Sequence, residues 1–278
     1  MSFIETLKVI LIGIVEGFTE WLPISSTGHM LLMDEIVHLD MTPEFKSLFM
    51  IVIQVGALLA LIVMYFKRLN PFDPRKKPER RKATWQLWFK IAVATIPAAI
   101  LGLLVDEWVD EHLSNGLVIG IMLITLGVAF IIFERKNKYK QGDITRLGQL
   151  DYMTAFYIGL FQMIAILPGT SRSGATILGA LILGCARPVA VEFSFFLGIP
   201  MIAGNAFIKF IRYPLPLSSA EIMYLLIGLV VAFLVSIYSV KFFIGWIKKN
   251  SLEFFGYYRI ILGAIILIWY ILSNLIIK

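Results

Sequence analysis

Eight long apolar stretches constrain the fold of this chain more than any other feature. They lie near residues 3–33, 47–66, 88–105, 116–133, 152–184, 189–211, 221–240 and 255–277. A helix of about 20 apolar residues crosses the hydrocarbon core of a bilayer. A soluble fold of 278 residues, of which 59% are hydrophobic and 16% charged, could not bury so much apolar surface. We therefore predict an all-α polytopic membrane protein.

Two of these stretches, 3–33 and 152–184, are too long for one crossing and are interrupted in the middle. The interruptions read Pro-Ile-Ser-Ser-Thr-Gly from Pro23 and Pro-Gly-Thr-Ser-Arg-Ser-Gly from Pro168. Proline ends a helix, whereas Ser and Thr begin one. We predict that each broken stretch forms a re-entrant hairpin of two half-helices, and that the other six stretches form transmembrane helices.

The charged residues of the connections predict which side of the membrane each one faces. Lys and Arg cluster in 67–90, 134–150 and 241–253, whereas acidic residues dominate 34–46 and 106–115. Basic loops stay in the cytoplasm. Six crossings and two re-entrant hairpins satisfy every basic loop, with the N-terminus and the opening of the first hairpin outside. The net charge of +6 is then a topology signal, and no nucleic-acid partner is expected.

A weak repeat relates the two halves of the chain. At an offset of 146, three residues of the first broken stretch recur in the second: Gly13, Ser25 and Gly28 recur as Gly159, Ser171 and Gly174. The first copy starts outside and the second inside. We predict one membrane domain, 1–278, made of inverted-topology repeats at about 1–133 and 152–278 and joined by the cytoplasmic loop 134–151. The site of such a protein lies where the broken helices meet.

Glu16 and Glu20 are ionisable residues within the first apolar stretch, where charge is costly and usually functional. At i and i+4 they share one helix face, and two carboxylates there repel unless a cation lies between them. The cation could be a divalent metal or Arg172 in the second interruption. The alternative is that both carboxylates lie on a solvated helix end.

The interruptions hold the other candidate groups. Ser26 is a candidate nucleophile, and His29, three residues on, is its candidate base or itself the nucleophile. The alternative is an ordinary Ser/Thr cap with a capping or core histidine. The start of a half-helix binds anions, and the fork of Arg172 suits phosphate, although Arg172 could also form a structural ion pair with Glu16 or Glu20. The candidate phosphate-binding set is Ser25, Thr27, Ser171, Arg172, Ser173 and Thr176. Together these groups predict a site for a phosphorylated group on a membrane-borne molecule.

Two segments carry a resemblance to a known family. Glu16-Gly-Phe-Thr-Glu-Trp-Leu-Pro-Ile-Ser-Ser-Thr-Gly-His29 and Pro168-Gly-Thr-Ser-Arg-Ser-Gly-Ala-Thr176 resemble the signatures of the undecaprenyl-diphosphate phosphatase family of the bacitracin-resistance type. The one departure is Trp21, where the family commonly has Phe. The resemblance implies hydrolysis of undecaprenyl diphosphate to undecaprenyl phosphate and phosphate, a divalent cation (Mg²⁺ or Ca²⁺), and a site on the outer face of the bacterial cytoplasmic membrane.

On this basis we expect Glu16 and Glu20 to hold the metal, or one of them to relay a proton. We expect Ser26, His29 and Arg172 to act on the phosphate. The attacking group remains open between Ser26, His29 and water. The expected partners are a polyprenyl diphosphate lipid and the surrounding membrane lipids, and the oligomeric state is open, a homodimer included. The competing function is a transporter or flippase for a polyprenyl phosphate lipid, because inverted repeats with broken helices are typical of transporters.

Overall fold

The computed structural model describes residues 2–137, 142–213 and 216–276, which form ten α-helices and one short 3₁₀ turn. No strand occurs within these ranges. The all-α prediction is confirmed. In chain order the helices are α1 (Phe3–Thr19), α2 (Ser26–Val37), α3 (Pro43–Leu69), α4 (Pro78–Leu113), α5 (Gly116–Lys136), α6 (Tyr152–Ile164), α7 (Arg172–Ile182), α8 (Arg187–Arg212), α9 (Ser219–Ile247) and α10 (Glu253–Ile276).

Six of these helices are long and apolar enough to cross a membrane: α3, α4, α5, α8, α9 and α10. Each coincides with one of the six stretches that were predicted to cross once, so the prediction of six candidate membrane-spanning helices is confirmed. Their outward faces carry exposed large hydrophobic side chains, such as Val63 on α3 and Leu104 on α4. Exposed apolar side chains on long helices suit contact with lipid.

The two long stretches are each broken into a pair of shorter helices, as predicted. The first forms α1 and α2 and the second forms α6 and α7, with turns at residues 20–25 and 165–171. Three of the four helices have 11 to 13 residues, which is well short of a bilayer crossing. The re-entrant path of each pair through the membrane stays a prediction.

The predicted connections are too long, because the helices continue beyond the apolar runs. The 36 residues of α4 give a helix about 54 Å long, and a bilayer core is about 30 Å thick. Asp106, Glu107, Asp110 and Glu111 therefore lie in the last turns of α4 and not in a connection at 106–115. Charged residues continue a helix readily once it has left the apolar layer, so hydropathy does not mark its end.

The broken helices pack against helices of the opposite half of the chain. α1 packs on α9, and α6 packs on α4. A Cβ on Gly13 of α1 would lie 3.0 Å from the carbonyl oxygen of Gly228, and one on Gly159 of α6 would overlap that of Ala94. Equivalent glycines thus allow both close approaches. This exchange of partners fits an inverted repeat, and the repeat itself stays a prediction.

Helices α5 and α10 form the most extensive helix pair and bring α10 against both breaks. They approach closely where a Cβ on Gly127 would lie 2.7 Å from the carbonyl oxygen of Gly256. The close approach brings the first turns of α10 near α2 and α7, both of which contact the pair. Arg259 of α10 therefore reaches both breaks, and Tyr258 reaches His29 in α2.

Candidate active site

The two breaks end in the same local structure. Ser25 precedes α2 with φ 71°, and Ser171 precedes α7 with φ 68°. Each hydroxyl accepts a hydrogen bond from the backbone N–H three residues on, that of Gly28 at 3.3 Å and that of Gly174 at 3.2 Å. The prediction that half-helices begin at these residues is confirmed. Helix N-termini present free N–H groups and a positive dipole end, which together favour an anion.

Glu20, Ser26 and Arg172 form the centre of the site. The Glu20 carboxylate accepts from the hydroxyl of Ser26 at 2.9 Å and from the guanidinium of Arg172 at 3.1 Å. A second nitrogen of Arg172 donates to the backbone oxygen of Ser194 in α8 at 3.0 Å. The ion pair of Arg172 with Glu20, which the sequence left open, is formed. A hydroxyl, a carboxylate able to accept its proton and a cation are thus in direct contact.

Glu16 is the most unusual group of the site. Its side chain is fully buried, and neither carboxyl oxygen has a hydrogen-bond partner among the described residues. An unpartnered buried carboxylate is costly, so it needs a proton, a cation or a ligand that brings one. It lies one turn before Glu20, as the i, i+4 spacing predicts.

The residues present fit a divalent cation only if the substrate completes its coordination. No group of three or more His, Cys, Asp and Glu side chains gathers within the described ranges. Mg²⁺ commonly binds through one or two carboxylates together with phosphate oxygens and water. Glu16, with both oxygens unpartnered, and Glu20 are the two carboxylates of the candidate site, and a cation held by them stays a prediction.

His29 is held away from Ser26. Its Nδ1 lies 2.7 Å from the backbone oxygen of Ser25, and its Nε2 lies 2.7 Å from the hydroxyl of Tyr258, whose ring stacks on the imidazole. A carbonyl oxygen can only accept, so Nδ1 carries a proton, and in the neutral imidazole Nε2 accepts from the hydroxyl of Tyr258. Ser26 therefore bonds to Glu20 and not to the histidine, and the catalytic role of His29 stays a prediction.

The remaining predicted phosphate ligands divide into three groups. Ser173 donates to the backbone oxygen of Leu22 at 3.2 Å, and Thr176 bonds to the hydroxyl of Ser194 at 2.6 Å. These two buried side chains hold α7 against the first break and against α8. Ser25 and Ser171 act as helix caps, whereas Thr27 is exposed on the first turn of α2.

An apolar cavity of about 490 Å³ adjoins the site. It lies between α1, the end of α9 and the start of α10, and its wall includes the polar rings of His29 and Tyr258. A cavity of this size and composition suits an apolar ligand that has a polar end. Its other lining residues are Ile14, Val15, Phe18, Thr19, Leu22, Ile24, Phe242, Trp246, Phe254 and Phe255.

Comparison with known proteins identifies the family. The family model described as "Bacitracin resistance protein BacA" matches residues 9–265. The chain belongs to the BacA family. An undecaprenyl-diphosphatase of Enterococcus faecalis is 49% identical over 276 residues, which covers 98% of this chain and 100% of the relative. Undecaprenyl-diphosphatases of Streptococcus thermophilus (96% of this chain, 93% of the relative) and Desulfitobacterium hafniense (97% and 98%) are each 50% identical.

Sequence reasoning missed three residues of this BacA-family site. Tyr258 holds His29, and Ser194 contacts both Arg172 and Thr176. Arg259, which is fully buried in α10, donates to backbone oxygens of both breaks. The signal that singled out Glu16, an ionisable residue within an apolar run, applies equally to Arg259. The positions of Tyr258 and Ser194 carry no comparable signal.

Proposed function

We propose that this BacA-family chain is an undecaprenyl-diphosphate phosphatase. It hydrolyses undecaprenyl diphosphate to undecaprenyl phosphate and inorganic phosphate, which recycles the lipid carrier of cell-wall synthesis and deprives bacitracin of its target. The observation that carries the proposal is the contact of Ser26, Glu20 and Arg172 beside two helix N-termini. The names of the relatives support the same substrate.

The proposed reaction proceeds in two steps, transfer of the terminal phosphoryl group to Ser26 and hydrolysis of the phosphorylated serine. Glu20 takes the proton of the Ser26 hydroxyl as the Ser26 oxygen bonds to the terminal phosphorus. The bond from that phosphorus to the bridging oxygen breaks, and undecaprenyl phosphate leaves with the electron pair. Water then attacks the phosphorus of the phosphorylated Ser26, and the bond from that phosphorus to the Ser26 oxygen breaks. Glu20 returns its proton to the Ser26 oxygen, and inorganic phosphate leaves with the oxygen and the protons of the water. Arg172 stabilises the charge on the transferred group, as positioned cations do in phosphoryl transfer.

Glu16 and Glu20 are the proposed ligands of Mg²⁺ or Ca²⁺. The cation would neutralise phosphate oxygens when bound. The unpartnered oxygens of Glu16 support this assignment, because bound metal would relieve their cost of burial. Removal of divalent cations with EDTA is expected to abolish phosphate release, and added Mg²⁺ is expected to restore it.

The proposed partner is a lipid whose chain lies in the apolar cavity beside His29. The cavity supports this because its wall is aromatic and aliphatic except for a few polar groups. We place the protein in the bacterial cytoplasmic membrane with the site facing outside. The support is the charge of the connections: Arg75, Lys76 and Lys77 lie between α3 and α4, at the end predicted to be cytoplasmic.

The proposal is tested by phosphate release from undecaprenyl diphosphate by purified full-length protein in detergent. Ser26→Ala and Arg172→Ala are each expected to lose at least about 100-fold in rate, or about 2.7 kcal/mol. Ser114→Ala and Arg212→Ala are matched controls, because both side chains are exposed at the end of α4 or α8. No release by folded parent protein with Mg²⁺ or Ca²⁺ would favour a lipid carrier, which a flipping assay in liposomes would then detect.

A further inference from the structure

Arg259 joins the two breaks through one side chain. One terminal nitrogen donates to the backbone oxygen of Pro23 at 3.2 Å, and the other donates to Gly169 at 3.1 Å and Thr170 at 2.8 Å. Pro23 and Gly169 are two residues before the caps of α2 and α7 and are separated by the same 146 residues as the caps. The guanidinium therefore donates hydrogen bonds to equivalent positions of the two turns.

The charge of Arg259 has no acidic partner among the described residues. Its side chain is fully buried, its bonds go only to carbonyl oxygens, and its Nε has no hydrogen-bond partner. The other arginine of the site, Arg172, is paired with Glu20. A buried cation without a counter-charge is costly, and an anion bound between the two turns would supply the missing charge.

The contacts of Arg259 also reach the anion-binding end of α7. A Cβ on Gly174, in the first turn of α7, would lie 3.3 Å from a terminal nitrogen of Arg259. The same Gly174 donates its N–H to the Ser171 cap. The guanidinium thus touches the helix start as well as the turn before it, so its position and the direction of the α7 N-terminus are linked.

We propose that Arg259 is a positioning residue that sets the spacing of the two helix N-termini and adds an uncompensated positive charge to the phosphate site between them. This inference rests on the proposed function, because it assigns Arg259 to the same phosphate. A planar fork is needed to hold carbonyls of two separate turns at once. Lysine keeps the charge but offers a single nitrogen, so it cannot hold both turns in the same way.

The test compares the parent protein with Arg259→Lys and Arg259→Met. Arg187→Lys is the matched control. Arg187, at the start of α8, forms an ion pair with the buried Glu134 of α5 and does not touch the breaks. The measurements are kcat and KM for phosphate release, the affinity for inorganic phosphate, and the thermal midpoint in detergent. Phosphate affinity is the readout that a purely structural role would not change in folded protein.

We expect Arg259→Lys to fold with a midpoint near that of the parent, to lose at least about 30-fold in kcat, and to bind inorganic phosphate at least about tenfold more weakly. Arg259→Met is expected to show a larger loss of kcat and a larger loss of affinity for inorganic phosphate. Arg187→Lys is expected to keep kcat and phosphate affinity within about threefold. Folded Arg259→Lys with kcat and phosphate affinity within threefold of the parent would overturn the inference.

Two further outcomes separate the inference from the proposed function. A parent protein that binds phosphate but releases none from the lipid would contradict the proposed function. The phosphate affinities of parent and Arg259→Lys would still decide the role of Arg259. Failure of both Arg259 variants to fold, with Arg187→Lys folded, would assign Arg259 to assembly of the whole domain and overturn a role specific to the site.

Discussion

At the scale of single residues, the carboxylate of Glu20 makes two hydrogen bonds that matter for the proposed reaction. It accepts from the nucleophile candidate Ser26 and from the cation Arg172 at the same time. In the proposed reaction, a carboxylate that relays a proton and also holds Arg172 would link the attack on phosphorus to charge stabilisation. Ser26 and Glu20 are therefore expected to act as one unit rather than as two independent contributors.

A double-mutant cycle tests this coupling. Glu20→Gln removes the proton acceptor but keeps the side-chain volume, and we expect a loss of at least about 100-fold in kcat/KM. Ser26→Ala is expected to lose as much kcat/KM. The double variant is expected to lose little more than either single variant. Phosphate release by the three variants measures the coupling. Losses that multiply in the double variant would show that the two residues act separately.

Much of the residue-scale picture follows from the sequence, because a charged or hydroxyl side chain within an apolar run is costly without a purpose. Glu16, Glu20, Ser26 and Arg172 stand out on that ground. The pairing of Ser26 with His29, suggested by their spacing, is not formed, since the backbone oxygen of Ser25 and the hydroxyl of Tyr258 hold both ring nitrogens. The second of these contacts spans 229 residues and no local pattern encodes it.

At the scale of elements, the two helix starts depend on serines in a left-handed backbone conformation. Ser171 has φ 68° and caps α7 through its hydroxyl. A β-carbon is strained at such a φ value, whereas glycine is not. The backbone conformation of Ser171 sets the direction in which α7 starts. The strain is therefore kept at a residue that positions the N-terminus of this helix.

Substitutions at Ser171 separate the cap from the strain. Ser171→Ala loses the cap and keeps the strain, so we expect a loss of about 1–2 kcal/mol in stability, and Ser171→Gly should lose less. Ser218 is the matched control, since it caps α9 at an ordinary φ of −71°. The difference in thermal midpoint between the Ala and the Gly variant should be larger at Ser171 than at Ser218. An equal gap at both positions would argue against strain at Ser171.

The existence of the helices is well predicted from the sequence, but their ends are not. Apolar runs of about 20 residues identify six helices, because a helix that crosses the bilayer core needs about that many apolar residues. The same runs underestimate α4, whose charged final turns lie beyond the apolar run. The breaks are predicted because Pro, Ser and Gly leave a local chemical signature.

At the scale of the whole molecule, the exchange of helix partners brings distant segments to one site. Because α1 packs on α9 and α6 on α4, residues from both halves surround the breaks. The 146-residue offset suggests this arrangement, whereas the adjoining cavity cannot be predicted from sequence. Its walls come from α1, α2, α9 and α10, and their approach depends on packing across the chain.

Filling the cavity tests whether it holds the lipid chain. Val15→Trp places a large ring in it, and we expect KM for undecaprenyl diphosphate to rise at least about tenfold, or about 1.4 kcal/mol. KM for a short prenyl diphosphate should change less, because less chain lies in the cavity. Val63→Trp is the matched control, since Val63 is 59% exposed on the outer face of α3. Equal effects of both variants on both substrates would contradict this role.

The most direct test of the account is whether Ser26 carries the phosphoryl group during turnover. Purified protein would be mixed with undecaprenyl diphosphate radiolabelled at the terminal phosphate and quenched in acid within milliseconds, which preserves phosphoserine. The account predicts label on the peptide that contains Ser26, decaying as labelled phosphate appears, and no label in Ser26→Ala. Rapid release of phosphate with no label on the chain, and undiminished release by Ser26→Ala, would contradict it.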